Sequence, residues 1–185
     1  GPKKAAPDLI EYQTDFTTPG GTRHGAVKGV MERTGMLANT IETVKKARAL
    51  GATIVFVPIT FVEGYGEVRS EPYGILKGVK DSKSFVKGSW GAEIVESLKP
   101  EGGDIVIEGK RGLCGFESKK LDWVLRSRDI TDIALAGFLT NCCVESTMRV
   151  GYEKGFNVVT LTDCTAALSQ EEQDHACAKN FPMFS

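Results

Sequence analysis

The segment 133–152 reads I-A-L-A-G-F-L-T-N-C-C-V-E-S-T-M-R-V-G-Y. It is typical of a buried strand, predicted over 130–136, that breaks at Gly137 and enters a helix near Cys142 or Cys143. A cysteine in the first helical turn lies beside unpaired backbone N–H groups and the positive end of the helix dipole, and both lower a thiol pKa. The same N–H groups could bind an oxyanion. The segment therefore indicates either a nucleophilic cysteine or a small buried residue at a strand–helix junction.

The composition bounds the class of protein. The 185 residues are 41% hydrophobic and 25% charged, with a net charge of -1. These values are typical of one globular domain and do not favour a nucleic acid or a membrane surface as partner. The sequence shows no apolar run long enough for a membrane helix and no secretory signal. Five cysteines without a C-x-x-C pair argue against disulfides and a zinc ribbon, and favour a reducing, cytoplasmic compartment.

Segments of strand and helix type alternate along the chain. Helix 36–50 is the clearest because its apolar residues fall on one face. The alternation predicts a Rossmann-like three-layer α/β/α sandwich with a mainly parallel sheet. The predicted strands are 9–10, 52–58, 104–108, 130–136 and 156–161, and the other predicted helices are 90–98, one after Ser118, one from Cys143 to near Gly155, and one with a Ser169–Glu172 capping box.

The domain is expected to span residues 3–185. Gly1-Pro2 lacks an initiator Met and resembles the remnant of a protease site, so we exclude it from the domain. The apolar segment at 9–10 is short for a central strand, which indicates a half-length strand or missing upstream residues. The chain reaches Ser185 without an obvious sixth strand, so we expect a truncated C-terminus.

Two loops, 14–35 and 59–88, are predicted to carry the walls of a substrate pocket. Residues 22–35 show no clear period and are predicted as a loop with one weak helical turn. Residues 59–88 are polar and irregular, and a connection of that length in a compact domain is usually functional. The candidate substrate-binding residues in and beside these connections are Gln13, Phe16, Phe61, Tyr65 and Tyr73.

Polar side chains follow three predicted strands. Glu11 follows the first strand, Lys110 the third and Cys143 the fourth. Ligands of parallel sheets bind at the carboxyl ends of the strands, and an acid, a base and a thiol there suit covalent catalysis. From spacing alone, a Glu and a Lys placed in this way more often form a simple ion pair than a catalytic site.

Four motifs carry a resemblance to a known family. They are E-Y-Q-T-D-F at 11–16, W-G-A-E-I at 90–94, E-G-K-R-G-L-C-G-F at 108–116 and G-F-L-T-N-C-C-V-E-S-T-M-R at 137–149. In this order, over nearly the whole chain, they resemble the isochorismatase-like cysteine hydrolase superfamily. The resemblance implies a six-stranded parallel sheet flanked by helices, an acid–Lys–Cys triad and frequent oligomers.

Residue by residue, the resemblance implies specific catalytic roles. Cys143 is the nucleophile, Lys110 the triad lysine, and Glu11 the triad acid in place of the family's usual Asp. The resemblance also places a non-proline cis bond at Phe138–Leu139. The backbone N–H groups of Leu139 and Cys143 are then the expected oxyanion hole.

The same resemblance implies secondary roles and an absence. Cys142 occupies a variable position and is expected to pack, and Asp15 is expected to tether its loop. Nicotinamidases of this superfamily carry an Asp-x-His and a further His for zinc, whereas this chain has only His24 and His175. We therefore expect no catalytic metal, no cofactor and no nicotinamidase activity.

The expected function is hydrolysis of a small amide or carbamoyl substrate through a thioester. An alternative is isochorismatase activity proper, which cleaves a vinyl ether to release pyruvate and needs an acid and water rather than a nucleophile. An alternative of another class is a catalytically inactive binding protein, supported by the Glu in place of Asp and by the short first strand. The expected partners are a small-molecule substrate and further copies of the chain, in a dimer or tetramer.

Overall fold

The computed structural model describes residues 1–118 and 120–185. Within these residues one sheet of five parallel strands forms in the order β3-β2-β1-β4-β5. Apolar clusters cover both faces of the sheet, so the predicted three-layer α/β/α sandwich is confirmed. The strands are β1 (Ala5–Ile10), β2 (Val55–Val57), β3 (Ile105–Val106), β4 (Asp132–Phe138) and β5 (Asn157–Ala166).

The described helices alternate with these strands. The α-helices are α1 (Thr14–Thr17), α2 (His24–Thr34), α3 (Met36–Ala49), α4 (Ile75–Asp81), α5 (Lys120–Ser127), α6 (Glu145–Glu153) and α7 (Gln170–His175). Short 3₁₀ turns occupy Pro2–Lys4, Trp90–Ala92, Glu96–Leu98, Gly115–Ser118 and Phe181–Met183, and wider π-type turns occupy Thr140–Val144 and Ala176–Asn180. None of the described helices is long and apolar enough to cross a membrane.

The two faces of the sheet are buried by different helices. On β1, Leu9 belongs to the cluster that contains α2 and α3, whereas Ala6 and Ile10 belong to the cluster that contains α5 and α6. This alternation follows from the two-residue side-chain period of a strand. Both faces of the central strand are therefore covered by apolar side chains.

The first strand is longer than the sequence predicts. β1 runs over six residues, lies at the centre of the sheet and pairs with both β2 and β4. Pro7 and Asp8 interrupt the apolar pattern, so the first half of β1 was not predicted from the sequence. Pro7 is tolerated because the pairing with β2 begins only at Asp8, which leaves β1 with β4 as its one partner at Pro7.

Asp8 is fully buried within β1, between Val55 on β2 and Leu135 on β4. Neither carboxyl oxygen has a hydrogen-bond partner. Burial raises the pKa of this carboxyl well above its usual value, because the charged form would be desolvated without a partner.

The prediction of a loop over 22–35 is wrong. This region forms helix α2, whose buried residues Val27, Val30 and Met31 follow the i, i+3, i+4 spacing of an amphipathic helix. Glycines within the segment lowered its apparent helix propensity. Gly35, at φ +68, ends the helix in the left-handed conformation that glycine adopts without strain.

Two further predicted elements differ in type. The connection 59–88 contains helix α4, so it is not irregular throughout. The predicted helix 90–98 is instead two 3₁₀ turns, and between them Ile94 forms an isolated antiparallel bridge with Gln13. That bridge requires an extended backbone, so a continuous helix cannot form there.

Other predictions hold. Helix α3 matches the predicted 36–50, and Ser169 accepts a hydrogen bond from the Glu172 N–H at 3.1 Å, as the capping box predicts for α7. β5 extends to Ala166, beyond the predicted 156–161. The sixth strand that the resemblance implies is not among the described residues.

Candidate active site

The carboxyl ends of the strands bring the predicted acid and lysine into contact. Lys110 Nζ donates a hydrogen bond to Glu11 Oε2 at 2.7 Å. The side chain of Lys110 is 0% exposed and that of Glu11 is 3% exposed. Cys143 is also buried, lines the same cavity as Glu11, and contributes to the electrostatic environment of Lys110. The three predicted catalytic residues therefore lie at one buried site.

The backbone of Glu11 departs from strand geometry. Its φ is +58, in the left-handed region that non-glycine residues rarely adopt, and its N–H donates to the Val57 carbonyl at 3.1 Å. Residues in such conformations concentrate at functional sites. The turn ends β1 and starts the loop that carries the motif at 11–16.

Gly137 allows β4 to approach this turn closely. Its φ is +124, and a Cβ built there would lie 2.0 Å from the Ile10 carbonyl oxygen. Any side chain would therefore separate the ends of β1 and β4. This contact explains why the chain needs glycine just before the segment that delivers Cys143 to Glu11.

Lys110 is aligned by the chain that follows β2. The Thr60 N–H donates to the Lys110 carbonyl at 3.2 Å, and Ile59 pairs with Lys110 in an isolated parallel bridge. The loop after β3 thus runs beside the loop after β2. This pairing holds the lysine backbone while the ion pair holds its side chain.

The turn before α6 carries the cysteine. The peptide bond Phe138–Leu139 is cis, at the position where the resemblance places it. Thr147 Oγ1 donates to the Cys143 carbonyl at 2.8 Å and accepts from the Gly115 N–H at 2.9 Å. One threonine therefore links the cysteine turn to the loop that carries Lys110.

The protonation of the site is set by burial and by these close contacts. Burial by itself lowers the pKa of Lys110, but the Glu11 carboxylate and Cys143 more than offset it and leave that pKa raised. A hydrogen bond with Cys142, burial and the Glu11 charge raise the pKa of Cys143 well above its usual value, while Lys110 opposes them. The structure therefore contradicts the expected lowering of the Cys143 pKa.

Cys142 has the opposite shift. Its hydrogen bond with Cys143 lowers the pKa of Cys142, although burial opposes the effect. Its side chain is half-buried rather than buried, and it lines the same cavity as Cys143. The residue expected only to pack is therefore the more accessible and more acidic thiol of the pair.

Iodoacetamide is expected to alkylate Cys142 before Cys143 in the absence of substrate, because the thiolate is the reactive form and Cys142 has both the lower pKa and the greater exposure. Peptide mapping after brief labelling measures this order. In the Cys142→Ser variant, the early adduct on this peptide should disappear. Faster labelling of Cys143 in the unmodified protein would contradict the assignment of the resting charges.

The site opens through two adjoining cavities. The catalytic cavity is small, about 20 Å³, which is room for about one water molecule. The outer cavity is larger, about 590 Å³, and shares Ile75, Leu76 and Leu113 with the first. These shared residues form the boundary that a substrate must cross. The remaining lining residues of the catalytic cavity are Glu11, Phe16, Arg23, Ile59, Val79, Phe85, Leu139, Cys142 and Cys143.

The structure places the five predicted substrate-binding residues in different environments. Phe16 lines the catalytic cavity, and Tyr73 lines the outer cavity and is 76% exposed. Phe61 and Tyr65 lie buried against each other, with ring centroids 5.2 Å apart, and line neither cavity. Gln13 is also outside both cavities. We therefore retain only Phe16 and Tyr73 as candidate substrate contacts.

Gln13 connects three segments of backbone. Its amide nitrogen donates to the carbonyls of Ile59 at 2.7 Å and Ala92 at 2.9 Å, and its oxygen accepts from the Ile59 N–H at 2.9 Å. These bonds occupy the polar atoms of a fully buried side chain. Gln13 thus holds the loops in place.

Asp15 ties down the loop that follows it. Its carboxylate accepts from the backbone N–H groups of Thr22 at 2.9 Å and Phe85 at 2.8 Å. It therefore joins the entry of α2 to the chain after α4, which agrees with the expected tethering role. His24 begins α2, and its Nδ1 lies 2.8 Å from the Phe16 carbonyl oxygen.

The sequence missed several residues of the site. Ile75, Leu76 and Val79 come from α4, and Leu113 lies in the loop after Lys110. The apolar spacing within α4 was a local signal that the glycines and charges around it obscured. Arg23 gave no local signal, since only the tertiary fold brings it to the cavity.

The described residues do not form a metal site. Across 1–118 and 120–185, no group of three or more His, Cys, Asp or Glu side chains could hold a metal ion. His24 is at the start of α2, and His175 is an exposed residue at the end of α7. Metal-independent activity stays a prediction.

The fold and this site define a class of α/β/α sandwich protein with a buried acid, lysine and cysteine at the carboxyl edge of a parallel sheet. The isochorismatase domain model matches residues 9–185. The chain therefore belongs to the isochorismatase family and is a hydrolase of that family.

Solved structures support the same fold. An isochorismatase family protein from Desulfovibrio vulgaris superposes with a TM-score of 0.80 at 24% identity, over 97% of this chain and 90% of that one. A cysteine hydrolase from Pseudomonas syringae gives 0.73 at 25% identity, over 90% and 74%. An N-carbamoylsarcosine amidase from Thermoplasma acidophilum gives 0.73 at 21% identity, over 95% and 92%.

Proposed function

We propose that this enzyme hydrolyses a small amide or carbamoyl compound through a thioester on Cys143. The observation that carries the proposal is the buried ion pair between Glu11 and Lys110, 2.7 Å long, at the cavity that Cys143 also lines. A charged pair is costly to bury for stability alone, so its place beside a thiol supports a chemical role.

The first half-reaction forms the thioester. The neutral thiol of Cys143 transfers its proton to the Glu11 carboxylate as the sulfur attacks the carbonyl carbon. Glu11 then gives this proton to the leaving nitrogen, the C–N bond breaks, and ammonia or an amine departs. The raised pKa of Cys143 suits this sequence, because it favours a thiol that keeps its proton until Glu11 accepts it.

The second half-reaction restores the enzyme. Glu11 takes a proton from a water molecule, which attacks the thioester carbon, and the proton returns to the sulfur as the C–S bond breaks. Lys110 donates a hydrogen bond to the Glu11 carboxyl group at 2.7 Å and so positions it for both proton transfers. The backbone N–H groups of Leu139 and Cys143 are the proposed donors to the oxyanion in both steps.

The proposed chemistry tolerates Glu in place of the family's Asp. Glutamate is one methylene longer, yet Glu11 still reaches Lys110 and lines the cavity with Cys143. Its left-handed backbone changes the direction in which the side chain leaves the strand. We infer that this turn accommodates the longer side chain.

Intact-mass spectrometry during turnover of small primary amides and N-carbamoyl compounds is expected to reveal an acyl adduct, because the thioester is a covalent intermediate. Acid quenching should preserve the adduct for peptide mapping to Cys143. Two matched variants locate it: Cys143→Ser should lose both adduct and turnover, whereas Cys142→Ser should retain both.

The same experiment separates the competing functions. Release of pyruvate from isochorismate without an adduct would favour vinyl ether cleavage, because that reaction needs no nucleophile. An adduct on Cys142 that survives the Cys143→Ser change would overturn the proposed nucleophile. Amide hydrolysis without any adduct would overturn the covalent route.

A further inference from the structure

The catalytic cavity contains a cation that the proposed triad does not use. Arg23 lines this cavity, and Glu11 is the other charged residue of its described lining. Because Glu11 is already paired with Lys110, its negative charge is offset. Among the charged residues of the described lining, Arg23 is therefore the one whose charge is not paired within the site.

Arg23 lacks a partner of its own. Its Nε is buried and has no hydrogen-bond acceptor among the described residues. No ion pair of the described chain includes it. Arg111, which lines the outer cavity, differs because it pairs with Glu67 at 2.7 Å. A guanidinium N–H that is removed from water without an acceptor favours a ligand that supplies one.

The backbone of Arg23 is held firmly. Its N–H donates to the Asp15 carbonyl at 2.9 Å, and its carbonyl accepts from Ala26 at 3.2 Å in the first turn of α2. The Asp15 carboxylate anchors the preceding Thr22 N–H. The side chain therefore starts from a fixed point beside the cavity.

Helix α4 leaves space for the guanidinium. A Cβ built on Gly78 would lie 3.1 Å from Arg23 Nη1, so a side chain there would press on the head group. Glycine is unfavourable inside a helix, yet it occupies this position. The space at Gly78 supports a role in which the position of Arg23 matters.

We propose that Arg23 is a specificity-determining residue that binds a carboxylate of the substrate, so that the enzyme prefers anionic amides or carbamoyl compounds to neutral ones. The inference rests on the proposed function, because it names the substrate class of that same site. Arginine suits this task since its planar N–H groups match the two oxygens of a carboxylate. The carboxylate supplies the acceptor that Nε lacks.

Paired substrates test the preference. Succinamate carries a carboxylate and its methyl ester does not, and the shorter and longer acids malonamate and glutaramate vary the spacing from the amide. For the best acid, kcat/KM is expected to exceed that of its methyl ester by about tenfold or more, the scale of one charge-assisted contact. The Arg23→Met variant should lose this preference, mainly through a higher KM for the acid.

Three further variants sharpen the test. Arg33→Met removes an exposed arginine from the same helix and should keep the preference. Arg23→Lys should keep part of it, because the charge remains. Gly78→Ala should raise KM for the acid and not for the ester, because only the acid uses the displaced guanidinium. Equal losses on acid and ester in Arg23→Met, or equal rates in the unmodified enzyme, would overturn the proposal.

Binding without turnover separates this inference from the proposed reaction. Isothermal titration of the Cys143→Ser variant with succinamate and its methyl ester should show tighter binding of the acid, and adding Arg23→Met should abolish the difference. If the unmodified enzyme hydrolyses none of these amides but binds the acid through Arg23, the proposed reaction fails and the anion site stands. If the acid and the ester bind equally, the anion site fails.

Discussion

Replacing Lys110 with methionine is expected to lower kcat/KM by about 10³-fold, within the range that one acid–base partner contributes. The same change should lower the free energy of unfolding by about 3–5 kcal/mol, because it leaves a buried carboxylate without its cation. Glu11 is only 3% exposed, so water cannot replace the lost ammonium. Steady-state kinetics and urea denaturation measure the two effects.

A second variant separates catalysis from stability. Glu11→Leu combined with Lys110→Met removes both charges and fills the site with apolar groups of similar size. It should recover most of the stability lost by Lys110→Met, because replacing a whole buried ion pair is often nearly neutral. It should remain inactive, because the proton carrier is gone.

Two results would contradict this account. Activity within tenfold of the unmodified enzyme in Lys110→Met would show that the ion pair is structural. A double variant no more stable than Lys110→Met would show that the unpaired Glu11 charge is not what destabilises the single variant.

Replacing Asp8 with valine is expected to stabilise the protein by about 2–3 kcal/mol at pH 7, since burying a polar group without a hydrogen bond costs this much. Asp8 lies in the apolar face of β1, and neither of its oxygens has a partner. Valine suits a position flanked by Val55 and Leu135 on the neighbouring strands. Urea denaturation of the two proteins measures the difference.

The ionisation of Asp8 also predicts how the free energy of unfolding changes with pH. In the unfolded chain the Asp8 carboxyl has an ordinary pKa of about 3.9. In the folded protein burial raises that pKa well above this value. Between the two values the folded protein binds more protons than the unfolded chain, so the free energy of unfolding falls as the pH rises. The stability that the protonated Asp8 carboxyl provides is fully present below its pKa in the unfolded chain. It is lost as the pH rises through its pKa in the folded protein.

Asp8→Asn serves as the isosteric control. It removes the ionisation but keeps a polar group, so its stability relative to the unmodified protein should be smallest below about pH 4 and should grow with pH. Asp8→Val should show the same slope plus a constant gain. A difference that does not change with pH would show that Asp8 has partners in solution, and a destabilised Asp8→Val would contradict the apolar setting.

The sequence by itself determined the fold class and the edge of the sheet at which the site lies. Helix α3 could be predicted because its apolar residues fall on one face, and the central strands because they are short continuous apolar runs. Glu11 and Lys110, 99 positions apart, could be placed together because parallel strands end at a common edge. The sheet also set the place of Cys143 at the start of the helical segment after β4.

Only the tertiary structure decided the charge state of the thiols, the walls of the cavity and the setting of Asp8. The Cys143 pKa follows from its burial and its contacts with Cys142 and Glu11, not from the helix end alone. Arg23 reaches the cavity because Asp15 and α4 hold the segment around it. Electrostatic environment depends on neighbours distant in sequence and on exclusion of water, and neither leaves a periodic trace in the chain.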